Sequence, residues 1–196
     1  MDWLAMELNK EKNIILGSGS PRRKELLAQL GYSFQVRKAN TDEIAPSHYN
    51  GSETAVFLAI QKADVLKPTL QQEELLITAD TEVWKDNIRF GKPDSIESAK
   101  EMLRSLSGES HDVITGICVC DQKKTISLSV TTKVFFKTLS EEEIDHYTQV
   151  YQPLDKAGAY GIQEWIGLIG IEKIEGSYFN VVGLPVFELS EILMNW

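Results

Sequence analysis

The chain contains 196 residues, 42% of them hydrophobic and 25% charged, which is the composition of an ordinary globular domain and not of a disordered chain. Its 20 basic and 29 acidic residues give a net charge of -9, whereas proteins that bind nucleic acids or membrane surfaces through charge are basic. No apolar run approaches the roughly 20 residues of a membrane-spanning helix. We therefore expect a single domain over residues 1–196 that binds neither nucleic acid nor a membrane.

The first residues of the chain and its two cysteines both favour a cytoplasmic location. Residues 1–7 include acids and no long apolar stretch, so no export signal is expected. Cys118 and Cys120 are too few for a disulfide framework, and their alternation within a strand pattern favours packing on one face over redox work. The three histidines lie far apart and lack the spacing of zinc ligands.

The first predicted elements are a buried strand over residues 13–17 and a helix over residues 21–30. Ser20 suits the N-cap position, Pro21 suits the first helical position, and Gly31 suits the position that follows the last turn. A short run of small residues joins the two elements.

Strands and helices alternate through the rest of the chain. The predicted strands cover residues 34–36, 75–79, 111–120, 125–136 and 167–174, and residues 83–84 and 88–90 flank a hairpin turn at 86–87. The predicted helices cover residues 52–66, 94–106, 140–150 and 185–194, with polar loops at 40–51 and 153–161. We expect Asp94 with Glu97, and Ser140 with Glu143, to cap their helices. The strand over 75–79 is expected to end at Asp80-Thr81. The alternation predicts an α/β fold, as one unit or as two lobes.

The run Gly17-Ser18-Gly19-Ser20 precedes a helix whose first turn carries Arg22, Arg23 and Lys24. Small residues let the backbone approach a ligand, and a helix N-terminus presents N–H groups to an anion. Cations are disfavoured at that end of a helix, so their presence favours a bound polyanion. The alternative is a solvated, cationic start of a helix.

Two acidic segments are candidates for catalysis or for metal binding. Asp80 follows a buried strand, where the carboxylate can hold a divalent cation or orient a water molecule. The alternative for Asp80, an aspartate that caps the end of a strand, is equally compatible with the sequence. Asp42 and Glu43 form a second pair in a polar loop, and solvated loop acids are the simpler interpretation of that pair taken alone.

Two further polar residues lie among glycines and prolines. Lys92 lies between Gly91 and Pro93, whose restricted backbone fixes where the ammonium points. Gln163 ends the segment Asp155–Gln163, and its amide has both the donors and the acceptor that the edge of a nucleobase requires. Each segment is also compatible with an ordinary tight turn.

Taken in order, these segments resemble the Maf family of nucleotide pyrophosphatases. The resemblance covers the chain from about Ile14 to about Leu189 and rests on several blocks. The blocks are Ser20–Leu27, Ala79-Asp80-Thr81, Gly91-Lys92-Pro93, Leu106-Ser107-Gly108 with His111 and Thr115-Gly116, Asp155–Gln163, and Gly176-Ser177 with Asn180 and Gly183-Leu184-Pro185.

The resemblance implies a Maf/Ham1 fold, in which helices flank a mixed twisted sheet and two lobes surround a central cleft. It implies a cytoplasmic enzyme that converts a nucleoside triphosphate and water into the monophosphate and pyrophosphate with a divalent cation, Mg²⁺ or Mn²⁺. The family's older label is septum formation inhibitor, which implies a link to the arrest of cell division, and protection of nucleic acids against modified nucleotides is a further implied role. Homodimers are common in the family, so a homodimer is the expectation for this chain.

By the resemblance, Arg22, Thr81 and Gln163 follow the branch that is specific for dTTP and UTP. The sister branch, which acts on 7-methyl-GTP, tends to have tryptophan, glutamine and glutamate there. Glu82 departs from the family, which more often has an apolar residue. Its carboxylate could add a metal contact beside Asp80, but we expect the side chain to face solvent at the strand edge.

The resemblance also assigns catalytic roles. Asp80 is the proton acceptor that activates water, and Glu43 and Asp80 are the expected metal ligands. The expected triphosphate-binding residues are Ser20, Arg22, Arg23, Lys62 and Lys92. Two alternatives remain open: a pyrophosphatase for 7-methyl-GTP or another modified nucleotide, and a nucleotide-binding regulator of division without turnover.

Overall fold

The computed structural model describes residues 12–196, and the first residues, over which the sequence predicts no export signal, lie outside the described part. The strands are β1 (Asn13–Leu16), β2 (Phe34–Val36), β3 (Glu74–Lys85), β4 (Ile88–Phe90), β5 (Ser110–Cys120), β6 (Thr125–Phe136) and β7 (Ile171–Glu175). The helices are α1 (Pro21–Gln29), α2 (Gly51–Leu66), α3 (Ile96–Leu106), α4 (Glu141–Tyr151), α5 (Trp165–Gly170), α6 (Tyr178–Val182) and α7 (Val186–Met194). Short 3₁₀ turns cover Lys67–Thr69 and Ala157–Ala159.

The strands of the described chain form one mixed sheet of seven strands in the order β2-β1-β3-β5-β6-β7, with β4 paired to β3. β1 runs parallel to both β2 and β3. β4 is antiparallel to β3, and β7 is antiparallel to β6. The prediction of an α/β fold with a mixed sheet and helices is therefore confirmed.

The chain divides into two compact units. The first unit comprises the described residues up to Asp80 together with Thr115–Val130 and Gly183–Trp196, and the second comprises Thr81–Ile114 and Thr131–Val182. Each unit has its own apolar cluster. In the first unit the cluster contains Ile15, Ala59, Ala63, Leu66, Leu70, Leu76, Cys118 and Cys120. In the second unit it contains Val83, Val113 and Val134, with Phe90, Ala157, Ile171 and Val181 packed against them.

The helix starts follow the local capping rules. The Ser20 hydroxyl accepts a hydrogen bond from the Arg23 N–H at 3.4 Å, and Pro21 opens α1. Gly31 has a φ of +85° after the end of α1, a conformation that glycine adopts without strain. Ser140 and Glu143 form the predicted capping box of α4. These predictions are confirmed.

Two predicted boundaries are wrong. β3 does not end at Asp80-Thr81 but continues to Lys85, because Glu82, two residues after Asp80, is accommodated by Arg89 from β4. α3 begins at Ile96 and not at residue 94, because the Ser95 hydroxyl accepts from the Ser98 N–H at 3.1 Å and is the N-cap. The Ser95 side chain thus accepts a hydrogen bond from a free backbone N–H of the first turn, one residue later than an Asp94 cap would.

Two further expectations fail in the second unit. Residues 167–170 belong to helix α5 and only 171–175 to a strand, since a short apolar run with glycines does not distinguish a buried helical turn from a strand. Glu82 does not face solvent: it is 3% exposed and pairs with the Arg89 guanidinium at 2.7 Å.

Within residues 12–196 no helix is long and apolar enough to cross a membrane.

Candidate active site

The loop between β1 and α1 is held tightly against the sheet of the first unit. A Cβ atom at Gly17 would lie 2.6 Å from Thr78 Cγ2, so only glycine fits there. The Ser18 hydroxyl accepts hydrogen bonds from the Ser20 N–H at 3.2 Å and from Arg23 Nη1 at 3.3 Å. These contacts therefore hold the N-terminus of α1, with Ser20 at its N-cap, in a fixed position.

Arg23 connects this loop to two other segments of the first unit. Its Nη1 donates to the Ala79 carbonyl at 2.9 Å, and its Nε donates to the Gly183 carbonyl at 2.8 Å. The guanidinium thus fixes the start of α1 beside Ala79, the residue that precedes Asp80. This contact gives Arg23 a structural role in addition to the phosphate-binding role that the sequence predicts.

Burial lowers the pKa of Arg23 below its usual value, and the negative charge of Asp80 opposes that shift. Arg22 lowers the pKa further, whereas Glu43 raises it. Arg22, Glu43 and Asp80 therefore each lie near enough to Arg23 for their charges to act on it. The sequence predicted each of these residues for the same site.

A buried lysine completes the cluster. Lys62, on α2, is 8% exposed, and Asp80, on β3, is 6% exposed. The Lys62 ammonium is in direct contact with Asp80 Oδ1 and lies 2.8 Å from Glu43 Oε1. One ammonium therefore holds two carboxylates together, one buried and one in the polar loop before α2. The structure thus brings Glu43, Lys62 and Asp80 together.

Glu43 and Asp80 have the donor chemistry that a hard divalent cation requires. Mg²⁺ in nucleotide enzymes is usually bound by one or two carboxylates, with water and phosphate oxygens supplying the other ligands. Glu43 and Asp80 converge on one ammonium, which shows that both point into a space where a cation is stabilised. Among residues 12–196 no group of three or more His, Cys, Asp or Glu side chains is placed to hold a metal. The residues present therefore fit a cation that substrate oxygens help to bind.

The second unit carries Thr81, Lys92 and Gln163. Thr81 follows Asp80 on β3 and is half-buried. Lys92 is exposed, and the Gly91 carbonyl before it accepts a hydrogen bond from the Gly158 N–H at 3.1 Å. Gln163 is exposed in a turn that the Glu164 N–H closes on the Gly161 carbonyl at 3.0 Å.

Comparison with known proteins agrees with the resemblance of the motifs. A family model described as Maf-like protein matches residues 13–196. This chain belongs to the Maf family. Its curated relatives include proteins named dTTP/UTP pyrophosphatase from Phocaeicola vulgatus and Bacteroides thetaiotaomicron, each 50% identical, covering 92% and 90% of this chain and 95% and 92% of theirs. Another protein of that name, from Parabacteroides distasonis, is 46% identical over 97% of this chain and 100% of its own.

A solved structure with partial similarity to this Maf protein is that of the Staphylococcus aureus Ham1 protein. It is 14% identical and covers 74% of this chain and 100% of that chain, with a TM-score of 0.42. A similarity of this size carries no conclusion about activity.

Sequence reasoning about this Maf protein missed two polar contacts of the second unit. The first is the pair between Glu82 and Arg89 across the β3–β4 hairpin. The second joins Tyr147 on α4 to Glu164. The available signal for the first was an acid two residues after Asp80 with an arginine on the next strand, at hairpin spacing. No sequence signal pointed to the second.

A buried histidine of the second unit makes the stability of this Maf protein depend on pH. His111 is 2% exposed, and its Nε2 lies 2.7 Å from the Tyr160 hydroxyl. Its Nδ1 is buried with no hydrogen-bond partner in the described chain. Burial, with a smaller effect of the charge on Lys85, lowers the pKa of His111 to about 4. Protonation would place an unsatisfied charged N–H in the core.

We expect His111→Gln to flatten the dependence of stability on pH. In the wild type the unfolded chain binds a proton at His111 below its ordinary pKa of about 6.5, whereas the folded chain does so only below about 4. Folding stability therefore falls as pH drops through this window, by up to about 3 kcal/mol. Urea unfolding at several pH values measures the slope, with His48→Gln, an exposed histidine, as the control. An unchanged slope in His111→Gln would contradict the assignment.

Proposed function

We propose that this chain hydrolyses dTTP and UTP to the corresponding monophosphate and pyrophosphate. The observation that carries the proposal is the convergence of Glu43 and Asp80 on Lys62, with both carboxylates within electrostatic range of Arg23. A triphosphate presents several negative charges, and an acidic chain with a net charge of -9 needs such a local set of cations to bind it. The names of the curated relatives support the same substrates.

In this proposal the first unit neutralises the triphosphate. The N–H groups at the start of α1 and the Ser20 hydroxyl suit phosphate oxygens, because a helix N-terminus carries a partial positive charge. Arg22, Arg23 and Lys62 add full positive charges. Cleavage of a phosphoanhydride depends mainly on such charge stabilisation and on the orientation of the attacking water.

Asp80 is the proposed general base. Its buried carboxylate, with Oδ1 on the Lys62 ammonium, is held in one orientation and can accept a proton from an attacking water molecule. Water adds to phosphorus, the anhydride between the α- and β-phosphates breaks, and pyrophosphate leaves. A bound Mg²⁺ or Mn²⁺ would supply additional charge neutralisation on the phosphate oxygens. Glu43 and Asp80 are the residues we propose to hold it.

Arg22, Thr81 and Gln163 are the proposed specificity residues. A glutamine amide offers one donor and one acceptor side by side. Thymine and uracil share the same O4 and N3–H edge, so one amide orientation serves both bases. Cytosine reverses the donor and the acceptor on that edge. We therefore propose that Gln163 favours thymine and uracil over cytosine.

Release of pyrophosphate from a panel of triphosphates tests the proposal. With Mg²⁺ or Mn²⁺, we expect dTTP and UTP to be preferred over CTP, the purine triphosphates and 7-methyl-GTP, and a chelator to abolish release. Preference for 7-methyl-GTP or another modified nucleotide would replace the substrate assignment. Binding of nucleotide without release would instead indicate a regulator without turnover.

Lys92→Ala is expected to lower kcat/KM for dTTP roughly tenfold, because an ammonium that stabilises negative charge on the reacting phosphates is lost. Since that charge develops in the transition state, most of the loss should appear in kcat. The control is Lys133→Ala, which removes an exposed lysine from β6 of the same unit. Equal activity of wild type and Lys92→Ala would remove Lys92 from the proposed machinery.

Four broader proposals accompany the activity. A single family match over residues 13–196 supports treating the chain as one Maf domain. A cytoplasmic location fits a substrate that is a cellular nucleotide. We also propose a homodimer, which the molecular mass in solution tests, and a link to division arrest or to removal of modified nucleotides, which requires the nucleotide chemistry described above.

A further inference from the structure

The turn that carries Gln163 is held on both sides by one buried tyrosine. Tyr147, on α4, has 0% of its surface exposed. Its hydroxyl accepts a hydrogen bond from the Gly161 N–H at 3.0 Å and donates one to Glu164 Oε2. Gln163 lies between these two contacts, and its own side chain is exposed. The tyrosine therefore fixes Gly161 and Glu164, on the two sides of Gln163, without contacting the Gln163 amide through either hydrogen bond.

A charged chain of contacts supports the tyrosine. The other oxygen of the Glu164 carboxylate lies 3.1 Å from Lys156 Nζ, and that ammonium is 2.6 Å from Asp155 Oδ1. Lys156 is 8% exposed. Burial, the hydrogen bond to Glu164 and the charge of Glu164 raise the pKa of Tyr147 well above its usual value. The hydroxyl therefore keeps its proton and remains a donor to Glu164 at neutral pH.

Close packing leaves the turn little room to move. A Cβ atom at Gly161 would lie 2.8 Å from Glu164 Cδ. A Cβ atom at Gly167, in α5, would lie 1.9 Å from the Ile162 carbonyl oxygen. The backbone of Gly167 therefore packs directly on the backbone of Ile162. The backbone of Gly161 packs directly on the Glu164 carboxylate. Sterics and hydrogen bonds constrain the same four-residue turn.

We propose that Tyr147 and Glu164 are positioning residues that hold Gln163 in the orientation needed to distinguish uracil and thymine from cytosine. The inference rests on the proposed function, in which Gln163 contacts the base. An amide that both donates and accepts discriminates only if its orientation is fixed, because a freely rotating amide can offer either group to either base. The Tyr147 hydroxyl and the Glu164 carboxylate contribute to that constraint, because their contacts hold the turn from which the Gln163 side chain extends.

A double-mutant cycle tests the coupling between Tyr147 and Gln163. The measured quantity is discrimination, the ratio of kcat/KM for UTP to kcat/KM for CTP, in Tyr147→Phe, Gln163→Ala and the double variant. We expect each single variant to lower discrimination roughly tenfold, and the double variant to be no worse than Gln163→Ala alone. Glu164→Gln, which keeps an acceptor for the tyrosine but loses the charge, should lower discrimination less than Tyr147→Phe.

Tyr151→Phe is the matched control. Tyr151 lies on the same helix and stacks on Tyr147 with ring centroids 5.0 Å apart. Its variant also loses one hydroxyl, and we expect its discrimination to equal that of the wild type. A role of Tyr147 in folding alone would lower the thermal midpoint of Tyr147→Phe and leave its discrimination unchanged, which would overturn the proposal. Independent, multiplicative losses in the double variant would also overturn it.

The ratio of dissociation constants for non-hydrolysable UTP and CTP analogues separates this inference from the proposed function. If the wild type binds the UTP analogue preferentially but releases no pyrophosphate, the enzymatic proposal fails. The double-mutant cycle of Tyr147 and Gln163, measured with the ratio of dissociation constants, then still tests the positioning proposal. If the wild type turns over UTP and Tyr147→Phe discriminates normally, only the positioning proposal fails. Equal binding and equal turnover of both nucleotides by the wild type would reject both.

Discussion

Asp80→Asn is expected to lower kcat on dTTP by about 100-fold or more, the effect of losing a general base, while the protein stays folded. The amide keeps the size of the carboxylate and can still accept a hydrogen bond from Lys62 through its oxygen. It cannot take a proton from water. The buried position of Asp80, at 6% exposure, means that no solvent carboxylate or buffer base easily replaces it.

The matched control for this variant is Glu74→Gln. Glu74 lies on the same strand, is 4% exposed, and is paired with a cation, Arg37, at 2.8 Å. Its substitution therefore removes a similar carboxylate–cation pair at a distance of six residues from Asp80. We expect Glu74→Gln to keep wild-type kcat. Comparable losses in both variants would mean that the loss in Asp80→Asn reflects altered folding, and full activity of Asp80→Asn would refute the general-base role.

Lys62→Met is expected to lower the free energy of unfolding by about 4 kcal/mol, because removing one partner of a buried pair leaves an uncompensated buried charge. The Lys62 ammonium pairs with both Glu43 and Asp80. Methionine fills the apolar part of the space but offers no charge, so the two carboxylates then repel each other. Turnover should fall as well, because Asp80 loses the contact that orients it.

Urea unfolding with and without millimolar Mg²⁺ measures this effect. Because the two carboxylates in Lys62→Met lack their ammonium, we expect the added cation to stabilise this variant more than the wild type. Lys67→Met is the control, since Lys67 follows the same helix and donates to the Thr125 hydroxyl at 2.9 Å at an exposed site. A Lys62→Met protein as stable as the wild type would contradict the proposed balance of charges.

The sequence was sufficient to predict the elements whose signals are local. Ser20, Pro21 and Gly31 mark the two ends of α1, and the structure has each of them in its predicted place. The Asp86-Asn87 turn has both residues at positive φ, as a tight hairpin requires. Such signals act within a few residues and depend little on the rest of the fold.

The remaining features depend on contacts that are distant in sequence. Lys62 and Asp80 are separated by 18 residues, and the packing of α2 against β3 brings them together. The continuation of β3 past Asp80 depends on Arg89, which gives the buried Glu82 a partner. The sequence around Glu82 does not by itself indicate that Arg89 is its partner. The resemblance of the ordered motifs supplied the proposed catalytic roles, which residue patterns alone left open.

The central claim is that the charges around Lys62 serve the cleavage of one bond, the anhydride between the α- and β-phosphates. Phosphorus NMR of UTP incubated with the purified protein and Mg²⁺ tests that claim most directly. The account predicts UMP and pyrophosphate as the first products, in equal amounts. UDP with orthophosphate, or intact UTP after prolonged incubation, would contradict it.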